Sequence, residues 1–177
     1  MTIININEYF FPVVVATKNK NNFIINDVYG TASYIGNGCF ITAGHTVKNA
    51  SQIGSFGIGY AGKNETAWKY LSAINHEIFE EIDLAIIKCN IFNTEIKSAK
   101  IASKFDPDLL ADVYTCGFPH AYDKHNKTLR TRALKEYIVS YGKFFELRKP
   151  VLGYELSFNC PRGISGAPLM LKNKGNI

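Results

Sequence analysis

Three polar residues, His45, Asp83 and Ser165, each adjoin an apolar segment and together offer a base, a carboxylate and a nucleophile. Ser165 lies in PRGISGAPLML (161–171), where a Gly-rich bend precedes a short apolar run. Because glycine reaches backbone angles that other residues resist, such a bend can turn N–H groups outward together and lift one side chain from the surface. This arrangement suits a hydroxyl nucleophile beside an oxyanion hole, although a plain hairpin turn has a similar sequence.

His45 and Asp83 have settings that suit acid–base chemistry. His45 directly follows the strand candidate CFITAG, whose neighbours would hold the ring rigidly, as a general base requires. Asp83 opens the apolar run LAII, where a carboxylate is costly unless it is paired or hydrogen-bonded. Each of the three residues alone also has a structural interpretation: a structural histidine, a strand-start cap or salt bridge, and a turn serine. Their shared setting and their order along the chain favour a joint catalytic role.

The elements that must position these residues are predicted to be short β-strands separated by turns. The strongest hairpin signal is Gly36-Asn37-Gly38, between two β-rich runs in residues 30–45. Further strand candidates are residues 10–16, 67–74, 83–89, 112–119, 153–159 and 167–173, and residues 134–147 read as a hairpin broken at Gly142. The pattern also predicts one helical turn at 46–49, a turn or loop at 77–82, and a polar surface loop at 121–131. This density of strands and turns favours a β-barrel or a sandwich.

Three segments resemble, in chain order, the histidine, aspartate and nucleophile motifs of the chymotrypsin/trypsin-like serine proteases: ITAGHTV, IDLAII and PRGISGAPLM. The resemblance covers roughly residues 10–177. It implies an all-β fold of two six-stranded antiparallel β-barrels with the site in the cleft between them. The whole chain, 1–177, would be one trypsin-like protease domain, with an N-terminal barrel at about 10–100 and an incomplete C-terminal barrel at about 108–177.

The resemblance implies a serine endopeptidase that hydrolyses protein or peptide substrates with no cofactor and no metal. Ser165 would attack the peptide carbonyl, His45 would take and return the proton, and Asp83 would orient the imidazole. The backbone N–H groups of Gly163 and Ser165 would form the oxyanion hole.

Four nearby positions bear on specificity and control. Asn159 stands where the family has the floor of its specificity pocket and, being neutral, predicts no preference for Arg or Lys; Arg162, beside the oxyanion turn, could contact substrate or simply be exposed. Ile164 replaces the aspartate that pairs with a newly cut N-terminus in zymogen-activated members, and Thr46 replaces a common disulfide cysteine. Activation by removal of a propeptide is therefore not expected.

The end of the sequence, LMLKNKGNI (169–177), stops where the family adds another strand and a closing helix. We expect a regulatory domain or a partner chain to complete the C-terminal barrel, because an unpaired strand edge promotes association. The protease would then be regulated as part of a larger protein or assembly.

Composition predicts a cytoplasmic protein without nucleic-acid or membrane partners. Apolar residues make up 46% and charged residues 20% of the 177 residues, and the net charge of +5 is scattered rather than clustered. The N-terminal segment has no leader pattern, and no apolar run has the length to span a bilayer. The four cysteines form no CxxC pair and are expected to be free thiols in a reducing compartment: Cys39, Cys89, Cys116 and Cys160.

Two other functions compete with the protease. A non-catalytic protease-like binding or scaffold module would account for the incomplete second barrel, but it would not require all three candidate catalytic residues. A metal hydrolase using His76, His120, His125 and a cysteine is disfavoured. His120 and His125 are five residues apart, and that spacing does not stack two ligands on one helical face.

Overall fold

The computed structural model describes residues 8–20, 22–61, 68–91, 96–102, 107–119, 122–123, 128–144, 150–157 and 161–171. Six of its strands form a closed antiparallel barrel in the order β1-β2-β3-β6-β5-β4. These elements are β1 (Phe10–Asn19), β2 (Asn22–Gly36), β3 (Cys39–Ala43), helix α1 (Gly44–Ile53), β4 (Phe56–Tyr60), β5 (Lys69–Phe79) and β6 (Leu84–Cys89).

The barrel closes around side chains that alternate along its strands. β3 and β6 bury every second residue, because successive side chains of a strand point to opposite faces. Phe11 and Phe40 meet edge to face in the core, with ring centroids 5.6 Å apart. Val13, Ile58 and Ile87 are fully buried around them. Each side chain of this size stabilises the fold by about 1.5–3 kcal/mol through its burial.

The predicted Gly36-Asn37-Gly38 turn is confirmed and joins β2 to β3. All three residues have positive φ, at 104°, 51° and 75° respectively, and this region is open to glycine and tolerated by asparagine. The turn therefore fixes the register with which β3 enters the barrel and leads to His45.

Two of the predicted elements are longer in the structure than the sequence pattern indicates. The single helical turn predicted at 46–49 is part of the ten-residue helix α1, which buries Val47 and Ala50 on one face. The turn or loop predicted at 77–82 is wrong for residues 77–79, because β5 continues there and pairs Glu77 with Ile86. Packing of α1 against the barrel extends the helix, and pairing with β6 extends β5.

The second part of the chain forms an open four-stranded sheet in the order β11-β10-β7-β12. Its strands are β7 (Asp112–Gly117), β10 (Arg132–Phe144), β11 (Val151–Leu156) and β12 (Leu169–Leu171), while β8 (Tyr122–Asp123) and β9 (Thr128–Leu129) form a separate two-stranded hairpin. The prediction of a hairpin broken at Gly142 is wrong, because β10 runs through Gly142 and pairs it with Gly153 of β11. Strand pairing on this side outweighs the glycine's low strand propensity.

The predicted all-β fold is confirmed, with one closed six-stranded barrel and, in place of a complete second barrel, the open sheet. The domain boundaries at about residues 10–100 and 108–177 stay predictions. Within the described ranges, no helix is both long and apolar enough to cross a membrane.

Candidate active site

The N-terminus of α1 places His45 at one end of the barrel. Ala43, at the N-cap position, offers no side-chain oxygen to the first turn of the helix. Asp83 supplies the missing acceptors from the start of β6: its carbonyl accepts from Gly44 N–H at 2.9 Å, and its Oδ1 accepts from His45 N–H at 2.7 Å. A carboxylate at this position satisfies otherwise unpaired N–H groups and interacts favourably with the helix dipole.

The other carboxylate oxygen of Asp83 binds the ring of His45. Its Oδ2 lies 2.6 Å from His45 Nδ1. When Nδ1–H donates to the carboxylate, Nε2 is left as the proton acceptor of the neutral ring. The imidazole is half exposed and the carboxylate is one-third exposed, so the pair lies at the surface of the cleft. Asp83 thus holds both the backbone and the ring of the same histidine.

The backbone at Asp83 and Gly44 has features that allow Asp83 to contact His45 closely. Asp83 has a φ of +50°, in the left-handed region that few residues other than glycine adopt. Gly44 lies so close that an added Cβ would be 3.1 Å from Asp83 Oδ1. Lys48 of α1 also pairs with Glu80 at 3.3 Å, which ties the helix to the turn before Asp83. Backbone strain of this kind concentrates at functional sites.

Ser165 lies in a tight loop between two glycines with positive φ. Gly163 and Gly166 have φ values of 95° and 80°. Ile164 N–H donates to Pro161 O at 3.1 Å inside the loop. The N–H groups of Gly163 and Ser165 donate to no other described residue, which is a requirement for the donors of an oxyanion hole.

The backbone of this loop lies against the barrel close to His45. Ser165 O accepts from Thr31 N–H at 2.8 Å. A Cβ added at Gly30 would lie 2.7 Å from both Ser165 O and Thr46 Oγ1, and Thr46 directly follows His45. Within the described residues, the Ser165 hydroxyl makes no hydrogen bond, to His45 or to any other group. The structure therefore joins His45 to Asp83 directly, and it holds the backbone of Ser165 against Thr31 and near Thr46.

The remaining predicted positions differ in their placement. Ile164, at the position where zymogen-activated members were expected to have an aspartate, is buried, and its Cδ1 packs over Gly117. Arg162 is exposed. Asn159 lies outside the described residues.

Sequence reasoning missed Thr31 and Thr42, which lie on β2 and β3 beneath the Ser165 loop. Both are buried, and Thr42 Oγ1 donates to Thr31 O at 2.6 Å. A signal was present, because a buried threonine in an apolar strand needs a hydrogen-bond partner.

The metal-site alternative has little support in the described part of the chain. No three His, Cys, Asp or Glu side chains there lie close enough to hold a metal ion. His76 packs edge-on against Phe56, with ring centroids 5.2 Å apart. His120 and His125 lie outside the described residues.

A groove of about 870 Å³ runs beside the site, with Asp83 in its wall. Ala43 and Leu84 line it from the barrel, and Pro168 and Met170 line it from the other side. Its lining is mainly apolar, and it lies alongside the edge strand β12.

Comparison with solved structures identifies proteases of the same fold. The Rv3671c protease from M. tuberculosis in its active form matches with a TM-score of 0.64 and 17% identity, over 93% of this chain and 65% of that one. Deg5 matches with a TM-score of 0.68 and 13% identity, over 93% of this chain and 75% of that one. The inactive form of Rv3671c gives 0.63 and 16%, with 93% and 72% covered.

Sequence comparison adds no further relative. The chain matches no protein-family model and no curated protein. It spans about two thirds of the length of the active Rv3671c structure, and the identities of 13–17% establish a shared fold only.

Proposed function

Since the chain has the trypsin-like serine protease fold, we propose that it is a serine endopeptidase acting through His45, Asp83 and Ser165. The observation that carries the proposal is the double contact of Asp83 with the backbone and the ring of His45. A carboxylate that only capped the helix would not need its second oxygen 2.6 Å from the imidazole.

The proposed reaction assigns one chemical role to each of these groups. Ser165 Oγ attacks the carbonyl carbon of the scissile peptide while His45 Nε2 takes its proton. Asp83 keeps Nδ1–H in place and stabilises the imidazolium that forms. The negative oxygen of the tetrahedral intermediate accepts from Gly163 N–H and Ser165 N–H. His45 then protonates the leaving amine, and water hydrolyses the acyl-enzyme by the same steps.

The test is covalent labelling by a fluorophosphonate probe together with hydrolysis of a fluorogenic peptide library. We expect the wild-type chain to be labelled and the Ser165→Ala variant to lose both labelling and hydrolysis, by about 10⁴-fold or more. Ser55→Ala is the matched control, because Ser55 is an exposed serine that follows the opposite end of α1 from His45. Labelling that survives Ser165→Ala would contradict the proposal.

A non-catalytic binding or scaffold module is the second candidate. The specific observation in its favour is the lack of a hydrogen bond between the Ser165 hydroxyl and His45 within the described residues. In proteases without substrate such a contact is often long and tightens only in the complex, so we rank the protease first. An unlabelled Ser165 in both the isolated and the partner-bound protein would support the scaffold.

Control by a larger protein or assembly belongs to the same proposal. The edge strand β12 and the apolar groove beside Asp83 would accept another strand, from a regulatory domain or a partner chain. Binding of such a partner should slow amide exchange in β12 and raise the rate of peptide hydrolysis. The cytoplasmic location and the lack of nucleic-acid or membrane partners stay predictions from the sequence.

A further inference from the structure

Thr31 of β2 connects the barrel to the Ser165 loop through its backbone and its side chain. It is fully buried, and its hydroxyl donates to Gly163 O at 3.0 Å across 132 residues of sequence. The same oxygen accepts from Phe118 N–H at 3.1 Å, just beyond β7. Its own N–H donates to Ser165 O at 2.8 Å. One residue therefore joins the barrel, the open sheet and the loop.

The direction of the side-chain bonds is fixed by chemistry. An amide N–H can only donate, so Thr31 Oγ1 must accept from Phe118 N–H. The single hydroxyl hydrogen is then available for Gly163 O, which can only accept. Thr42 Oγ1 in turn donates to Thr31 O at 2.6 Å, which holds the Thr31 backbone. Every polar group of Thr31 thus has a defined partner.

These bonds restrain the two peptide groups on either side of the one that carries Ser165 N–H. The Gly163–Ile164 peptide is held at both ends: its carbonyl accepts from Thr31, and its N–H donates to Pro161 O. The peptide after Ser165 is held by Thr31 N–H. The peptide between these two, which carries Ser165 N–H, is held within the loop, because its carbonyl, Ile164 O, accepts from Ala167 N–H at 2.8 Å. The bonds to Thr31 fix this internally bonded loop to the barrel and so set its orientation.

Two glycines, Gly117 and Gly166, lie close against Thr31. A Cβ added at Gly117 would lie 2.5 Å from Thr31 Oγ1. A Cβ added at Gly166 would overlap Thr31 O as well as Thr42 Oγ1. Glycine at both places lets the loop and the end of β7 approach the threonine closely.

We propose that Thr31 is a positioning residue that holds the Ser165 N–H and hydroxyl in their working orientation. This inference rests on the proposed protease function for its kinetic consequence. Its structural part, that the buried Thr31 hydroxyl orients the Ser165 loop, does not depend on whether the protein is an enzyme.

The test compares Thr31→Val, which keeps the shape and removes the hydroxyl, with Thr31→Ser, which keeps the hydroxyl. We expect Thr31→Val to lower kcat about 10- to 100-fold with little change in KM, because a displaced oxyanion donor affects the transition state. Amide exchange at Phe118 and in the Ser165 loop should speed up about 10-fold, as for the loss of one buried hydrogen bond. Thr31→Ser should restore both properties to within about three-fold of wild type.

Thr46→Val is the matched control for the exchange measurement. Thr46 is as buried as Thr31, but its Oγ1 has no hydrogen-bond partner among the described residues. Thr46→Val should leave amide exchange in the Ser165 loop unchanged and should not lower the melting temperature. Faster loop exchange in Thr46→Val equal to that in Thr31→Val would overturn the assignment.

The outcomes separate this inference from the proposed function. If wild type shows no Ser165-dependent labelling, the protease proposal fails. The role of Thr31 is then decided by amide exchange at Phe118 and in the Ser165 loop. Unchanged kcat and unchanged exchange in Thr31→Val would overturn the positioning role. If Thr31→Val does not fold, residue-resolved exchange of wild type decides: a protected Phe118 amide supports the bond to Thr31, and an unprotected one refutes it.

Discussion

Asp83 uses one carboxylate for two tasks, since it caps helix α1 and also orients the ring of His45. The first task stabilises the fold, and the second prepares the imidazole for proton transfer. The left-handed backbone at Asp83 is the local cost of directing both oxygens towards one residue. Stability and proposed chemistry are therefore coupled at this residue.

We predict that Asp83→Asn lowers kcat by about 10³- to 10⁴-fold, because the amide does not stabilise the imidazolium and favours the wrong ring tautomer. It should also destabilise the fold by about 1 kcal/mol, since the helix N-terminus loses a negative charge. Peptide hydrolysis and thermal unfolding measure the two effects. Asp112→Asn is the control. Its exposed carboxylate pairs with Lys135 and with no other described residue, so we expect the free energy of unfolding to fall by no more than about 1 kcal/mol.

The Ser165 loop is an element whose shape depends on glycine. Gly166 has a φ of 80°, and it faces backbone and side-chain atoms of β2 and β3. Gly142 in β10 is the opposite case, because no described residue lies within 4 Å of the position its Cβ would occupy. The two glycines therefore predict different outcomes for the same substitution.

Gly166→Ala should destabilise the protein by about 2–4 kcal/mol, through left-handed strain and overlap with Thr31 O and Thr42 Oγ1. It should also abolish labelling of Ser165, since the loop must move. Gly142→Ala should be neutral or slightly stabilising, because alanine reduces the entropy of the unfolded chain. Chemical denaturation and probe labelling measure both variants; a Gly166→Ala protein with wild-type stability would contradict this account.

At the scale of the whole molecule, the closed barrel contains a cluster of buried hydrophobic residues, and the open sheet ends at β11 on one side and β12 on the other. Cys89, at the end of β6, lies in that core, and its thiol contacts Leu71 O at 3.7 Å. Burial raises the pKa of the Cys89 thiol from 9.0 to about 12. Burial also raises the pKa of Cys116.

We predict a loss of stability at alkaline pH from this core. Between about pH 9 and pH 12 the unfolded Cys89 releases its proton while the folded one retains it, so the free energy of unfolding falls by about 1 kcal/mol per pH unit. Below pH 9 this contribution is constant. Denaturant titrations across this pH range measure the free energy of unfolding. It should fall less steeply with pH in Cys89→Ala than in wild type, whereas Cys39→Ala, at a half-buried position, should show nearly the wild-type fall. An equal decline in wild type and Cys89→Ala would exclude this origin.

Much of the barrel could be predicted from the sequence because its signals are local. The strand candidates that contain β3 and β6 and the turn at residues 36–38 depend on neighbouring residues alone, and the structure has strands and a turn at these places. The residue types at His45, Asp83 and Ser165 indicated the candidate site for the same reason. Chain order and short motifs were enough to nominate them.

Tertiary structure decided what depends on contacts between distant segments. The length of α1 follows from burial of Val47 and Ala50 against the barrel, and the continuity of β10 follows from its pairing with β11. The role of Thr31 could not be seen in its neighbours, because its partner Gly163 is 132 residues away. The preference of a segment for a strand, a helix or a turn depends on adjacent residues. The hydrogen bond between Thr31 and Gly163 forms only after strand register and barrel closure bring the two residues together.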